Sequence, residues 1–380
     1  ASGLNELGLS YYSGQDYQKA EHYFSQAVQM ARANKGRFTE AQGLSNLGAV
    51  YINTLRVDQG LQLVQQALNF FQNGNYPTNV SGSLTHMIRG HRRKGDYPAA
   101  MQVANQKLDL ARQDGAQPEI ANAYTEMAAV LMERDELMNA QKLYEDAGAI
   151  YQSVKNSQRL AYNITNRGNI LWRLGHYDQA EPLLNEAWNI VTQSRDRYKQ
   201  LVPTVLLYQA QLQLSRRNHS EAINLATQAV TEAGTGIPEI AIEGRAVLGL
   251  AKARSGEARE GLKLCHEAVE MASATGDFSL QSRALLNKAE AALLTNDAQT
   301  ALNLATEAQK RFAQGQQNES EWRAWLIASR ASEKLGDKSK AQEQFGNAMN
   351  VRSKLEQQWG AEAFKKYSTR PDIEAIYKQV

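Results

Sequence analysis

The sequence predicts an all-α protein: a superhelical α-solenoid of about nine antiparallel helix pairs with a C-terminal capping helix. Three observations carry this expectation. A small residue recurs as Ala20, Gly60, Ala100, Ala140, Ala180, Ala222, Gly261, Ala301 and Ala341, at gaps of 40, 40, 40, 40, 42, 39, 40 and 40. Turn-forming residues keep the same register, with Gly95, Asp135, Gly175, Gly256, Asn296 and Gly336 each five positions ahead of it. The composition favours helix, since only seven Pro and one Cys occur in a chain of 380 residues rich in Ala, Leu, Gln and Glu. A fixed period of this size describes units that stack on their neighbours. Residues 1–355 therefore form a single array with no internal boundary, and residues 356–380 form a capping segment.

The opening stretch LGLSYYSGQDYQKAEHYFSQA, residues 7–27, shows how each unit is built. Leu7 and Tyr11 stand four apart, as do Ala20 and Phe24, with Ala27 three further on. These are the spacings of residues on one helix face. Ser13-Gly14-Gln15-Asp16 predicts the turn between two helices, with Gly14 available for positive φ and Asp16 as the cap of the second helix. Gly8 and Ala20 let the helices approach, and Tyr11 and Phe24 fill the space beside the contact.

Later units repeat the scheme. Seven residues beyond each central small residue comes another, Ala27, Ala67, Ala147, Ala187, Ala229, Ala268, Ala308 and Ala348, with Lys107 alone departing. Gly8, Gly48, Gly168 and Gly249 lie twelve positions before the centre, Ala128, Ala210 and Ala289 substitute for them, and Ile88 and Ser329 depart. Gly36, Gly74, Gly115, Gly276 and Gly315 mark the breaks between units. Past Ala348 the helix is expected to run on through VRSKLEQQWGAEAF. Pro371, behind Ser368 and Thr369 as caps, opens a last helix near residues 372–379. Trp359, Phe364, Tyr367, Ile373, Ile376 and Tyr377 are expected to cover the ninth unit.

The Leu-Gly, Tyr, Ala, Phe and Ala of residues 7–27 resemble the tetratricopeptide repeats almost position for position, and the likeness extends over residues 1–355. The third unit departs most, with Ile88, His91 and Lys107 where Gly, Tyr and Ala are expected. The 40-residue period is similar to the longer-helix variety of kinesin light chains, spindle-orientation adaptors and bacterial signalling proteins. The resemblance implies a right-handed superhelix that serves as a non-catalytic scaffold. It implies a concave groove, lined by the first helix of each pair, that binds an extended peptide or partner domain. The ending WGAEAFKKYSTRPDI is similar to repeat regions of large bacterial regulatory proteins. It suggests a second function, a ligand- or peptide-sensing module that controls a domain outside this chain.

Charge and motifs narrow the function classes. Lys plus Arg number 42 against 40 Asp plus Glu, which argues against a global attraction to nucleic acid or anionic membrane. No apolar run approaches the length of a membrane span and no leader pattern opens the chain, so the expected compartment is the cytoplasm. The six histidines include no pair at the i, i+4 spacing of a helical metal site, and HExxH, CxxC, EF-hand, phosphate-loop and GxSxG patterns are missing. Cys265 occupies the repeat position of Phe24 and Tyr144, which reads as packing rather than as a nucleophile. No cofactor and no enzymatic activity are expected.

The register also names a groove. Its candidate binding residues are Asn46, Arg89, Arg92, Asn166, Asn169, Trp172, Arg173, Tyr208 and Gln211. Asn46, Asn166 and Asn287 are equivalent; in peptide-binding members of the family an Asn here holds ligand backbone, and the alternative is an Asn tolerated on a wet face. Arg89, Arg92, Arg93 and Lys94 form a basic cluster, read as solvated charge near a hairpin tip in preference to a grip on carboxylates. Val247, Leu250, Leu286, Leu293, Leu326 and Ile327 make the lining of the later repeats apolar, as a partner patch or as a surface covered by tight coiling. The expected ligand carries acidic residues for the arginines beside a hydrophobic one for Trp172, near Glu126 and Met132.

Overall fold

The computed structural model describes residues 1–195 and 198–377, and every regular element within them is a helix. Successive pairs are α1 (Ser2–Ser13) with α2 (Tyr17–Ala33), α3 (Arg37–Asn53) with α4 (Val57–Asn73), and α5 (Pro77–Arg93) with α6 (Tyr97–Gln113). Next come α7 (Gln117–Glu133) with α8 (Leu137–Ser153), α9 (Ser157–Arg173) with α10 (Tyr177–Gln193), and α11 (Leu201–Ser215) with α12 (His219–Ala233). The last pairs are α13 (Pro238–Arg254) with α14 (Ala258–Ser273), α15 (Phe278–Leu294) with α16 (Ala298–Gln314), and α17 (Asn318–Lys334) with α18 (Lys338–Trp359). Two short helices follow, α19 (Ala361–Ser368) and α20 (Pro371–Tyr377).

The central small residues sit where paired helices touch. Those that are alanine are fully buried except Ala341, which is nearly so. Gly249 and Gly261 face each other backbone to backbone, and a Cβ on Gly249 would fall 2.7 Å from the Gly261 carbonyl oxygen. Lys107, the departure from the small-residue rule, is buried and reaches Ser81 Oγ at 2.7 Å and Glu119 Oε2 at 3.0 Å. Its charge is thus partnered where an alanine would only pack.

Each hairpin tip uses one backbone geometry. Gln15, Leu55, Gly95, Asp135, Gly175, Arg217, Gly256, Asn296 and Gly336 all have positive φ, and each lies five residues before the central small residue. Gly14, expected to supply this conformation, has φ −79. The amides of Gln15 and Asp16 bond back to the carbonyls of Tyr12 and Tyr11, a helix-terminating pattern that puts the left-handed residue one position later. Asp16 caps α2 as expected, accepting from the Lys19 amide.

The expected run of helix through Phe364 is interrupted. Gly360 adopts φ 83, which ends α18 and turns the chain into α19. Trp359, Phe364, Tyr367 and Ile373 are buried. Residues 378–379 of the expected last helix and the Tyr377 side chain lie outside the described parts.

The stack coils until its second turn meets its first. Gly236 lies against Gln15, the Gly276 amide donates to the Leu55 carbonyl at 2.9 Å, and Phe278 packs on Gly95. Asp135 accepts from the Glu319 amide at 2.7 Å, its carbonyl accepts from Trp359 Nε1 at 2.5 Å, and Gly175 abuts the Lys366 carbonyl. One hydrophobic cluster therefore joins Ala128, Leu131, Tyr144 and Ile170 of repeats four and five to Trp322, Trp359, Phe364 and Tyr367. Of the apolar residues of the later repeats, Leu326 is covered by this coiling, whereas Leu293 and Ile327 are buried by stacking of neighbouring repeats.

Candidate functional site

The first helices of the pairs enclose a channel of about 750 Å³. Helix α9 supplies its most regular wall. Arg159, Tyr162, Asn166, Asn169 and Arg173 follow one another at spacings of three and four, so they form one stripe, and all five line the channel. From Arg159 to Arg173 the stripe spans about 21 Å at the α-helical rise.

Of the candidate binding residues, Arg89, Arg92, Asn166, Asn169, Trp172, Arg173, Tyr208 and Gln211 line this channel. Asn46 does not: its amide donates to Asn5 Oδ1 at 3.0 Å. Its equivalents differ from it. Asn166 donates to the Tyr162 carbonyl at 2.9 Å, and Asn287 lies in the channel wall.

The basic cluster is not solvated charge. Arg89 pairs with Glu126 at 2.7 Å and Arg92 with Glu133 at 3.3 Å. Arg93 crosses to the next turn, meeting Glu239 at 2.5 Å and Asp277 at 2.7 Å. Only Lys94, paired with exposed Asp58, stands in solvent. Arg93 points inward because the second turn brings carboxylates 146 and 184 residues away up to it.

These pairs continue as a chain across the channel. Glu133 also accepts from Arg283 at 3.0 Å and from Ser279 at 2.6 Å, Arg283 reaches Glu243 at 3.2 Å, and Glu243 accepts from Gln211 at 3.0 Å. Burial would raise the Glu239 carboxyl, but Arg93 and Arg92 outweigh it and hold the group down at about 2. Burial and the opposing Arg283 and Arg92 likewise leave Glu133 below its ordinary value. Glu243 is raised, because burial there outweighs Arg283.

Arg173 binds Asp135 at 2.5 Å, Arg254 binds Glu290 at 2.5 Å, and Arg370 binds Asp372 at 2.8 Å. Among the described residues, Arg159 is the one channel arginine without a carboxylate partner, and Lys199 at the same end has none either. The arginines expected to grip acidic ligand residues are thus already held by the chain's own carboxylates.

The open hydrogen-bonding capacity is uncharged. The Trp172 indole N–H and the Tyr144 hydroxyl are buried with no hydrogen-bond partner among the described residues. The Asn169 amide lines the channel beside them. Burial pushes the Tyr144 hydroxyl well above its ordinary value, with Tyr162 and Tyr208 adding to the rise. Opposite these groups Leu214, Val247, Leu250 and Leu286 form an apolar wall.

Sequence reasoning missed Arg159 and Tyr162, although they stand seven and four residues before Asn166 on the same face. It also missed Tyr144, Glu239, Glu243, Arg283, Arg370 and Asp372. Tyr144 belongs to a second helix, and the others reach the channel through the coiling. Cys265, by contrast, is buried, with its thiol pushed up to about 12 by burial, as expected of a packing residue. No helix among the described residues is long and apolar enough to cross a membrane.

Two family models, both described as tetratricopeptide repeat, match the chain, one over residues 119–193 and 160–231 and the other over residues 1–34. No curated protein sequence matches. Among solved structures, the chain is similar to a Rap protein complexed with competence and sporulation factor, at 11% identity and a TM-score of 0.71, covering 94% of this chain and 99% of that one. It is also similar to the Rap conjugation gene regulator of plasmid pLS20 in complex with the Phr* peptide, at 12% identity and a TM-score of 0.63, covering 91% and 96%. Aspartyl phosphate phosphatase F from Bacillus subtilis aligns at 12% identity and a TM-score of 0.56, covering 92% of each chain. At these identities the likeness is one of fold. Residues 1–34 and 119–231 therefore carry tetratricopeptide repeats, and the same 40-residue register runs through the other described helix pairs.

Proposed function

We propose that the protein is a non-catalytic peptide-sensing module whose channel holds a short extended peptide along α9. The observation that carries this reading is a set of uncharged hydrogen-bonding groups, Asn169 and the unpartnered Trp172 and Tyr144, set in a channel whose lining arginines are otherwise nearly all neutralised. Such groups suit backbone carbonyls and amides better than a highly charged ligand. At about 3.3 Å per residue of extended chain, the 21 Å stripe accommodates about six residues. Apolar side chains then face Leu214, Val247, Leu250 and Leu286. Arg159 and Lys199 leave one place for a carboxylate, which confines the expected acidity of the ligand to one end. Two of the similar folds were solved with a signalling factor or a peptide bound, which supports the same class of ligand. Because the ligand lies inside a closed coil, its arrival changes contacts between turns, and the module reads as a sensor more than as a passive scaffold.

The test is a random hexapeptide mixture applied to the protein, with retained peptides identified by mass spectrometry and their affinities measured singly. Asn169→Ala is expected to weaken them about tenfold, the equivalent of one hydrogen bond of roughly 1.4 kcal/mol. Arg159→Gln weakens those with a free carboxylate, and Asn46→Ala, outside the channel, changes nothing. Retained peptides that bind both channel variants as tightly as the parent would refute the proposal.

A further inference from the structure

One end of the channel is occupied by the chain itself. Arg370, the residue just before α20, is 2% exposed and turned inward, where it forms part of the channel lining. Its guanidinium lies 5.1 Å from the centre of the Trp172 ring and 5.1 Å from that of Tyr367. Nη1 donates to the Arg173 carbonyl at 2.9 Å, and Nε and Nη2 grip Asp372 at 3.1 and 2.8 Å. Glu319 stands 4.0 Å away.

Buried guanidinium is tolerated only where its donors are met, and here they are met by a carboxylate, a carbonyl and aromatic faces. Three of these partners, Trp172, the Arg173 carbonyl and Glu319, belong to repeats five and nine and not to the segment that carries Arg370. When α20 leaves, Asp372 leaves with it, and the wall keeps the Trp172 face, the Arg173 carbonyl and Glu319 for a flat cation. Beside it, the Trp172 indole N–H lacks a hydrogen-bond partner among the described residues, so a group entering alongside the cation would find a donor waiting.

We propose that the Trp172 end of the channel is a guanidinium subsite, filled in this state by Arg370 as an internal ligand. A channel-binding peptide places an arginine side chain there when residues 361–377 withdraw. The identity of the incoming chain rests on the peptide reading above, whereas the subsite stands on the contacts of Arg370. The two ends then have opposite demands: a cation at Trp172 and a carboxylate at Arg159, with uncharged backbone between them.

The experiment empties the subsite and refills it. The melting temperature of Arg370→Ala is measured with N-acetylarginine methylamide, with N-acetylglutamine methylamide as the uncharged control. The arginine derivative is expected to raise the melting temperature of the variant in a dose-dependent way and to leave the parent unchanged, because its subsite is full. The glutamine derivative does neither. Adding Trp172→Ala to the variant abolishes the effect. If Arg370→Ala does not fold on expression, its refolding yield in the two derivatives is read instead, with the same expected ranking. No response of the variant, an equal response of the parent, or a response that survives loss of Trp172 would each overturn the proposal. A positive response while no hexapeptide binds the parent would leave the subsite standing and remove the peptide reading.

Discussion

The hairpin tips of the first five repeats and those of the last four share one backbone conformation and differ in what they touch. Gln15, Leu55, Gly95, Asp135 and Gly175 each meet a loop or helix start of the following turn or the helix α19 that ends it. Gly256 and Gly336 have open space where a Cβ would be, and Asn296 is exposed at the surface. Local helix termination accounts for positive φ in both groups. The additional contacts of the first group arise only because the solenoid closes on itself, so they report the superhelix and not the repeat. Equivalent positions in one repeat register thus carry different loads, and paired substitutions separate the local from the global part.

The largest difference is expected at neighbouring basic residues beside the third tip. Arg93→Ala strands Glu239 and Asp277 in the interior and is expected to cost about 3–5 kcal/mol, as breaking one side of a buried ion pair does. Lys94→Ala, whose partner is exposed, is expected to stay within about 0.5 kcal/mol. Denaturant titration of both variants checks this. Equal costs would mean that the second turn does not bury Arg93.

A sharper comparison holds backbone strain constant. Gly175 and Gly336 have φ of +86 and +85, so alanine pays the same left-handed penalty of about 1–2 kcal/mol at each. At Gly175 the new Cβ would also fall 2.6 Å from the Lys366 carbonyl oxygen, whereas at Gly336 nothing lies within 4 Å. Gly175→Ala is expected to be worse by a further 1–3 kcal/mol or so, the usual cost of overpacking. Variants that melt together would show that residues 361–368 do not seat on the fifth tip.

A pH dependence follows from Asp135. Burial pushes its carboxyl up to about 7 from an ordinary 3.8, with Arg173 opposing the rise. In this range the unfolded chain has released the proton while the folded chain keeps it. Fewer protons are bound in the unfolded state, and stability contributed by this group falls as pH rises from about 4 to about 7. Subtracting the pH profile of Asp135→Asn from that of the parent should expose this downward slope. A flat difference would place the proton elsewhere.

The repeat register was fully legible, because close approach of paired helices restricts Ala20 and its equivalents to small side chains whatever the coil does. The channel was legible in part. Helical periodicity around Asn166 finds the α9 stripe, and eight of the nine candidates do line the channel. Asn46 fails because the first repeat offers it Asn5, a neighbour that a single-helix pattern does not contain. The partners of Arg93 and Arg173, and the insertion of Arg370 onto Trp172, depend on the number of repeats per turn. That quantity is set by small packing offsets summed over several helix pairs, and no local spacing encodes it. The break at Gly360 was readable in principle, since glycine is the residue that most easily leaves a helix at positive φ.

Closure of the coil is tested most directly at the Glu319 amide. This group lies in the first turn of α17, where an N–H has no partner within its own helix, and it donates to Asp135 Oδ2, 184 residues away, at 2.7 Å. Hydrogen exchange resolved at single amides is expected to find it slow in the parent and fast in Asp135→Ala, while the Lys340 amide, capped locally by Asp337, exchanges alike in both. A Glu319 amide that exchanges rapidly in the parent would contradict a closed coil.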